Sequence, residues 1–163
     1  MFTDLKTNFE NFLNLSSASF MFVDGCTGIG KTSFARETIR EFKNLQNGET
    51  SVLLIQAPYI DNEREFILSL LREEMAFYKN MPKADLKTIL LKKLSNCRYL
   101  VIDDSQNLLN SRKLLMNHFF LMSWLVNETN IKVLYLGTVP FQGFLEDYDT
   151  IYRRSIVYNL KAS

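Results

Sequence analysis

Apolar residues fall along this chain in two rhythms. Short continuous runs such as Phe20-Met21-Phe22-Val23, Val52-Leu53-Leu54-Ile55 and Leu100-Val101-Ile102 alternate with longer stretches in which apolar positions recur every three or four residues. The runs predict strands covered on both faces, and the longer stretches predict amphipathic helices. Taken in order, the pattern predicts a helix over 3–13, with Leu5, Phe9, Phe12 and Leu13 on one side and Thr3 or Asp4 as its cap. A strand follows at 19–23, then a helix reaching Leu45 with Ala35, Ile39 and Phe42 inward, stopped by Asn47-Gly48. The next elements are a strand at 51–56 and a helix over 63–79. Pro58 and Asp61-Asn62 open that helix; Phe66, Leu70, Met75 and Phe77 form its apolar face, and Met81-Pro82 breaks it. A helix at 84–95 turns Leu86, Ile89, Leu90 and Leu94 inward. Strands at 99–103, 133–137 and 155–160 are separated by helices at 112–126 and 141–148. Apolar strands alternating with helices predict an open α/β sheet.

Composition narrows the class. A chain of 163 residues suits one domain burying roughly two-thirds of its unfolded surface. With 47% hydrophobic and 23% charged residues it has ordinary globular composition. The net charge of +1 selects no bulk electrostatic partner, although the segment Lys79–Arg98 is basic and Asp61–Glu74 mostly acidic. Cys26 and Cys97 belong to no metal-ligand cluster, and a reducing cytoplasm is the simplest setting. The amino terminus lacks the layout of a secretory signal, and no apolar run approaches membrane-spanning length.

The chemistry concentrates after the first strand. Gly25 to Thr32, Gly-Cys-Thr-Gly-Ile-Gly-Lys-Thr, fits G-x-x-x-x-G-K-[ST] between an apolar run and a helical pattern. This is the signature of a phosphate-binding loop. Gly25, Cys26, Thr27, Gly28, Ile29 and Gly30 would turn backbone N–H groups around a polyphosphate, and Lys31, Thr32 and Ser33 begin the helix beneath it. Lys31 would reach the β- and γ-phosphates and Thr32 would offer its hydroxyl to Mg²⁺. A second signal is the run ending in Asp103-Asp104: beside the loop, Asp103 would hold Mg²⁺ and Asp104 would stand near an attacking water. The same pair also fits a helix-capping turn. Thr138, after Leu136-Gly137, fits either a sensor of the γ-phosphate or a cap of the next segment. Arg153-Arg154 fits either a charge-neutralising pair acting across a subunit boundary or a surface pair at a strand start. Lys83, Lys87, Lys92 and Lys93 are candidates for DNA phosphates, or form a solvated helix face. His118 reads as structural, and Phe119, Phe120 and Trp124 as core.

Asn-Lys-x-Asp, the guanine-recognition motif, and Leu-Ser-Gly-Gly-Gln are both absent. What remains resembles an AAA+ ATPase. Ile102-Asp103-Asp104-Ser105-Gln106-Asn107-Leu108 resembles the corresponding segment of the TniB, TnsC and MuB transposition regulators and their ExeA-like relatives. Gln56-Ala57-Pro58 before a long helix, Leu136-Gly137-Thr138, and Arg154 before the last strand are similar to TniB, so the resemblance spans Ser19 to Leu160. It implies a five-stranded parallel sheet in order 5-1-4-3-2, with ATP and Mg²⁺ as cofactors. It further implies assembly into rings or filaments on double-stranded DNA, and contacts with a transposase and a target-selection protein. By position it implies phosphate binding by Lys31 and Thr32, metal binding by Asp103, a sensor at Thr138 and a trans-acting finger at Arg154. Two departures stand out. Asp104 occupies a position where the family has Glu, which is expected to slow water activation. The sequence also stops soon after strand five, without the family's helical lid. The reading is an ATP-dependent switch on DNA; the alternative is a nucleotide-binding scaffold with little hydrolysis and no DNA.

Overall fold

The computed structural model describes residues 2–26, 28–45, 52–57, 62–71 and 75–160. Each apolar run forms a strand: β1 (Phe20–Gly25), β2 (Val52–Gln56), β3 (Tyr99–Asp103), β4 (Lys132–Gly137) and β5 (Ser155–Leu160). They pair in parallel in the order β2-β3-β4-β1-β5, the order that the family resemblance implies. Parallel strands need long crossovers, and helices supply them. These are α1 (Phe2–Asn14) before the sheet, then α2 (Lys31–Leu45), α3 (Glu63–Leu71), α4 (Met75–Tyr78), α5 (Lys83–Leu94), α6 (Arg112–Thr129), α7 (Gln142–Leu145) and α8 (Asp149–Tyr152). A 3₁₀ helix, Ser105–Asn110, joins β3 to α6.

Side-chain alternation along the strands divides the core into two layers. Met21, Val23, Val101, Leu134 and Leu136 pack under α1 and α2, against Leu5, Phe9, Phe12, Phe34 and Ala35. Phe20, Phe22, Ile55, Leu100, Ile102 and Tyr135 face α3, α5 and α6 on the other side. There Phe22 and Tyr135 stack at 4.5 Å and Phe119 meets Phe22 edge-on. Burying each such aromatic or aliphatic side chain contributes about 1.5–3 kcal/mol, so both faces are needed to hold the sheet. His118, fully enclosed on α6, shares a 2.8 Å hydrogen bond with the Tyr135 hydroxyl, and burial pushes its imidazole down to about 3. It is a neutral core residue, as the sequence suggested.

Several expectations are corrected. The helix expected at 141–148 is two short ones, α7 and α8, separated at Glu146–Tyr148. Phe77 is 86% exposed, on a single short turn where the periodicity of α3 does not carry over. Phe120 is 67% exposed because the buried positions of α6, including Leu114, His118, Leu121, Met122 and Leu125, form the opposite stripe. Trp124 is half-buried, with the Lys87 ammonium 4.8 Å from its ring centroid. Thr3 and Asp4 lie inside α1 rather than capping it. Asn62 does cap α3, its Oδ1 accepting from the Arg64 amide at 3.0 Å. Asn47-Gly48, Ser51, Pro58 and Asp61, with the side chains of Ile39, Phe42 and Met75, lie outside what is described.

Candidate functional site

The parallel register brings the carboxyl ends of β1, β3 and β4 side by side, and the segments leaving them enclose a cleft of about 270 Å³. Lys31, Thr32, Asp103, Asp104, Gln106 and Thr138 line it, over a floor that includes Gly28, Gly30 and Ser33. The loop's shape follows from its glycines. Gly28 and Gly30 have φ of 80° and 95°, which side chains resist, and the second of them aims the loop into the start of α2. Gly25 is demanded by packing, since a Cβ there would lie 2.9 Å from Cβ of Leu160 on β5. Thr27 lies outside the described residues; Cys26 is exposed and Ile29 half-buried.

Lys31 is 8% exposed, and its Nζ donates to the carbonyls of Gly25 at 2.6 Å and Cys26 at 2.8 Å. Burial lowers its pKa, opposed chiefly by the Asp103 carboxylate. Asp24, 3% exposed at the end of β1, is shifted the other way: burial raises it and Lys31 opposes the rise. The Thr32 hydroxyl donates to Asp103 Oδ2 at 2.7 Å, so two oxygens suited to a hard divalent cation are already adjacent. With an ammonium and the N-terminus of the fifteen-residue helix α2 alongside, the donor set fits a Mg²⁺–polyphosphate.

Asp104 sits in left-handed backbone geometry (φ 52°) as the chain turns from β3 into the 3₁₀ helix, and its side chain makes no capping bond. Its carboxylate instead accepts from two amides, Gln56 Nε2 and Gln106 Nε2, each at 3.4 Å. Gln106 Oε1 in turn accepts from the Thr138 backbone N–H at 3.2 Å. Below them, the Ala57 amide donates to the Asp103 carbonyl at 2.8 Å, and Asn107 Nδ2 to the Ala57 carbonyl at 3.2 Å. Asp24, Gln56 and Gln106 are members of this site that the motif did not single out as such. The signals for the glutamines were their place at or just beyond a strand end and their presence in the two segments that resemble TniB and its relatives, neither of which gave them a role.

The remaining candidates lie elsewhere. The Arg154 carbonyl accepts from the amides of Ser19 and Phe20 at 2.9 and 3.0 Å, at the amino end of β1. The six-residue β1, roughly 17 Å long, therefore separates it from the phosphate loop of its own chain. Arg154 Nη1 donates to Asn127 Oδ1 at 2.8 Å, and Arg153 pairs with Asp149 at 3.0 Å. Lys83 and Lys87 pair with Glu63 at 2.7 and 3.3 Å, and Lys93 donates to the Leu71 carbonyl at 2.9 Å, while Lys92 is exposed. Burial raises Glu63, but the two lysines outweigh it and hold the carboxyl below its ordinary value.

A five-stranded parallel sheet in this order, with a glycine loop and two carboxylates at its carboxyl edge, defines a P-loop NTPase fold of the AAA+ type. A model of the AAA domain family matches residues 14–145, and the chain belongs to that family. No curated protein matches it in sequence. Similar solved structures include the Aeropyrum pernix ORC1 protein in complex with DNA, at TM-score 0.71 and 14% identity over 99% of this chain and 44% of that one. AMPPCP-bound DnaA from Aquifex aeolicus is similar at TM-score 0.61 and 13% identity, over 99% and 46%. Drosophila ORC bound to DNA is similar at TM-score 0.60 and 14% identity, over 99% and 41%. The chain thus spans less than half the length of each of these proteins. No helix among the described residues is long and apolar enough to cross a membrane.

Proposed function

We propose that residues 1–163 form a single AAA+ core that binds ATP with Mg²⁺, hydrolyses it slowly, and acts in the cytoplasm as a nucleotide-gated switch on double-stranded DNA. The observation that carries this reading is the Thr32–Asp103 hydrogen bond at 2.7 Å beside a Lys31 ammonium held on its own loop. Lys31 would exchange its bonds to the Gly25 and Cys26 carbonyls for phosphate oxygens, while Thr32 and Asp103 would hold the metal. Bound Mg²⁺–ATP supplies the phosphoanhydride that is cleaved. Asp104 would orient the attacking water, and Thr138, Gly28, Gly30 and Ser33 would surround the phosphates, with Gly25, Cys26, Thr27 and Ile29 completing the loop.

Arg154 would act on a neighbouring subunit's site, because its own lies a strand's length away. ATP would then favour rings or filaments. The likeness to TniB, TnsC and MuB in Asp103-Asp104-Ser105-Gln106-Asn107-Leu108 and Leu136-Gly137-Thr138 supports a place in transposition, with a transposase and a target-selection protein as partners. DNA in two of the solved structures of similar fold is compatible with a DNA partner here, with Lys92 and, after release from Glu63 and the Leu71 carbonyl, Lys83, Lys87 and Lys93 as phosphate contacts. Those intramolecular bonds favour the second reading, a nucleotide-binding scaffold without DNA. ATP turnover and sedimentation, each with and without duplex DNA at two salt concentrations, separate the two. The first reading expects ATP-dependent oligomers that DNA strengthens, that salt weakens, and that Arg154→Ala reduces without loss of ATP binding. A species that stays monomeric under every condition removes it.

A further inference from the structure

Gln106 occupies a place that its backbone alone does not explain. A backbone N–H only donates, so the 3.2 Å bond from Thr138 fixes the oxygen of the Gln106 amide on the β4 side and turns its nitrogen toward Asp104 Oδ1. The other carboxylate oxygen faces Gln56 at the end of β2. Both contacts to Asp104 are 3.4 Å, at the long end for such bonds, so no single tight bond locates the carboxylate. Its position follows from where the two amides stand. The turn that carries Gln106 is itself seated against β4. Ser105 is fully buried with no partner for its Oγ among the described residues, and a Cβ on Gly137 would come within 2.8 Å of that oxygen and 3.4 Å of both the backbone nitrogen and Oε1 of Gln106. Only a residue without a side chain admits this approach.

We propose that Gln106 is a positioning residue that couples the end of β4 to the water-orienting carboxylate: one amide transmits any displacement of Thr138 to Asp104. The proposal deepens the ATPase reading and rests on it for the roles of Asp104 and Thr138. It gives the Ser105-Gln106 step a reason to be pressed onto Gly137, since a looser turn would leave the amide unable to bridge a gap from β4 to Asp104.

Two measurements test it, one of which needs no nucleotide. In amide nuclear magnetic resonance, Asp104→Asn should shift the Thr138 N–H resonance in the parent and leave it unmoved in a Gln106→Ala background. In turnover assays, Gln106→Glu keeps an oxygen for the Thr138 N–H but replaces the donor to Asp104. It should lower kcat by about tenfold or more, a larger loss than the added charge causes in ATP affinity, with the isosteric side chain preserving the fold. A Thr138 resonance that follows Asp104→Asn equally with and without Gln106 overturns the coupling. So does a Gln106→Glu protein that turns over like the parent. If the parent fails to bind ATP, the functional reading falls, and the resonance experiment alone still decides whether the link exists.

Discussion

Lys31 and Lys132 stand at opposite edges of one sheet and use the same tactic to different ends. Each directs its ammonium at backbone carbonyls, and burial lowers the pKa of both. Lys132, at the start of β4, donates to Phe12, Leu15 and Ala18 at 2.7, 2.6 and 2.8 Å and lies 4.7 Å from the centre of the Phe12 ring. Its three protons are therefore all in use, adding a second bond to the Phe12 and Leu15 carbonyls, which already accept from the Leu15 and Ala18 amides, and reaching the Ala18 carbonyl beyond them. Lys31 bonds two carbonyls of a glycine loop, keeps a proton in reserve, and sits among Asp24, Asp103 and Asp104 beside an open cleft. A saturated lysine clamps a helix. An unsaturated one among carboxylates is prepared to change partners.

That contrast is broken or sharpened first by exchanging each lysine for methionine. Lys31→Met should unfold at close to the parent temperature but lose the stabilisation that Mg²⁺–ATP gives the parent, a drop in affinity of about a hundredfold, since a charged hydrogen bond contributes about 1.5–3 kcal/mol. Lys132→Met should do the reverse. Loss of its three hydrogen bonds, which leaves the Ala18 carbonyl without its donor, should cost about 1–3 kcal/mol of stability with nucleotide binding retained, as denaturant titration with and without ATP would read. If both variants lose binding and stability together, the two lysines do not divide their work in this way.

A smaller effect is expected at Gly137→Ala. The methyl would push Ser105 and Gln106 off β4, costing about 1 kcal/mol by overpacking and lowering turnover more than ATP affinity. Unchanged kinetics with unchanged stability would mean the turn relaxes freely. Smallest near neutral pH is the contribution of His118, a base buried without a charged partner among the described residues. Its folded value near 3 lies below the ordinary 6.5, so between these values the unfolded chain binds the proton and the folded chain does not. Stability is therefore lost as pH falls below about 6.5, at up to about 1.4 kcal/mol per pH unit. His118→Gln should flatten that part of the acid limb, and an unaltered limb would show that other groups control it.

How far the sequence could be read depended on whether a feature was contiguous. The runs Leu100-Val101-Ile102 and Val133-Leu134-Tyr135-Leu136 read as strands of a doubly covered sheet, and both are. Gly25–Thr32 carries its geometry in neighbouring residues, so the loop was legible, and so was the arrival of Asp103 beside Thr32 once a strand was assumed to lie next to it. The contacts of the glutamines were not. Gln56 meets Asp104 from 48 residues away, and Gln106 meets Thr138 across 32, at distances set by strand order and register rather than by local pattern. The ion pairs of α5 were hidden for the same reason, because Glu63, which pairs with Lys83 and Lys87, comes from another helix. Phe77 and Phe120 were misjudged because their apolar character says nothing of which stripe of a helix they occupy.

The most direct test of the account is a calorimetric titration of ATP into the parent protein, with Mg²⁺ and again with the metal chelated. A Lys31 poised to leave its carbonyls, beside a Thr32–Asp103 pair ready for a cation, predicts saturable binding of one ATP per chain that weakens when Mg²⁺ is removed. Absence of saturable heat in the parent, or binding of equal strength in Lys31→Met, would contradict it.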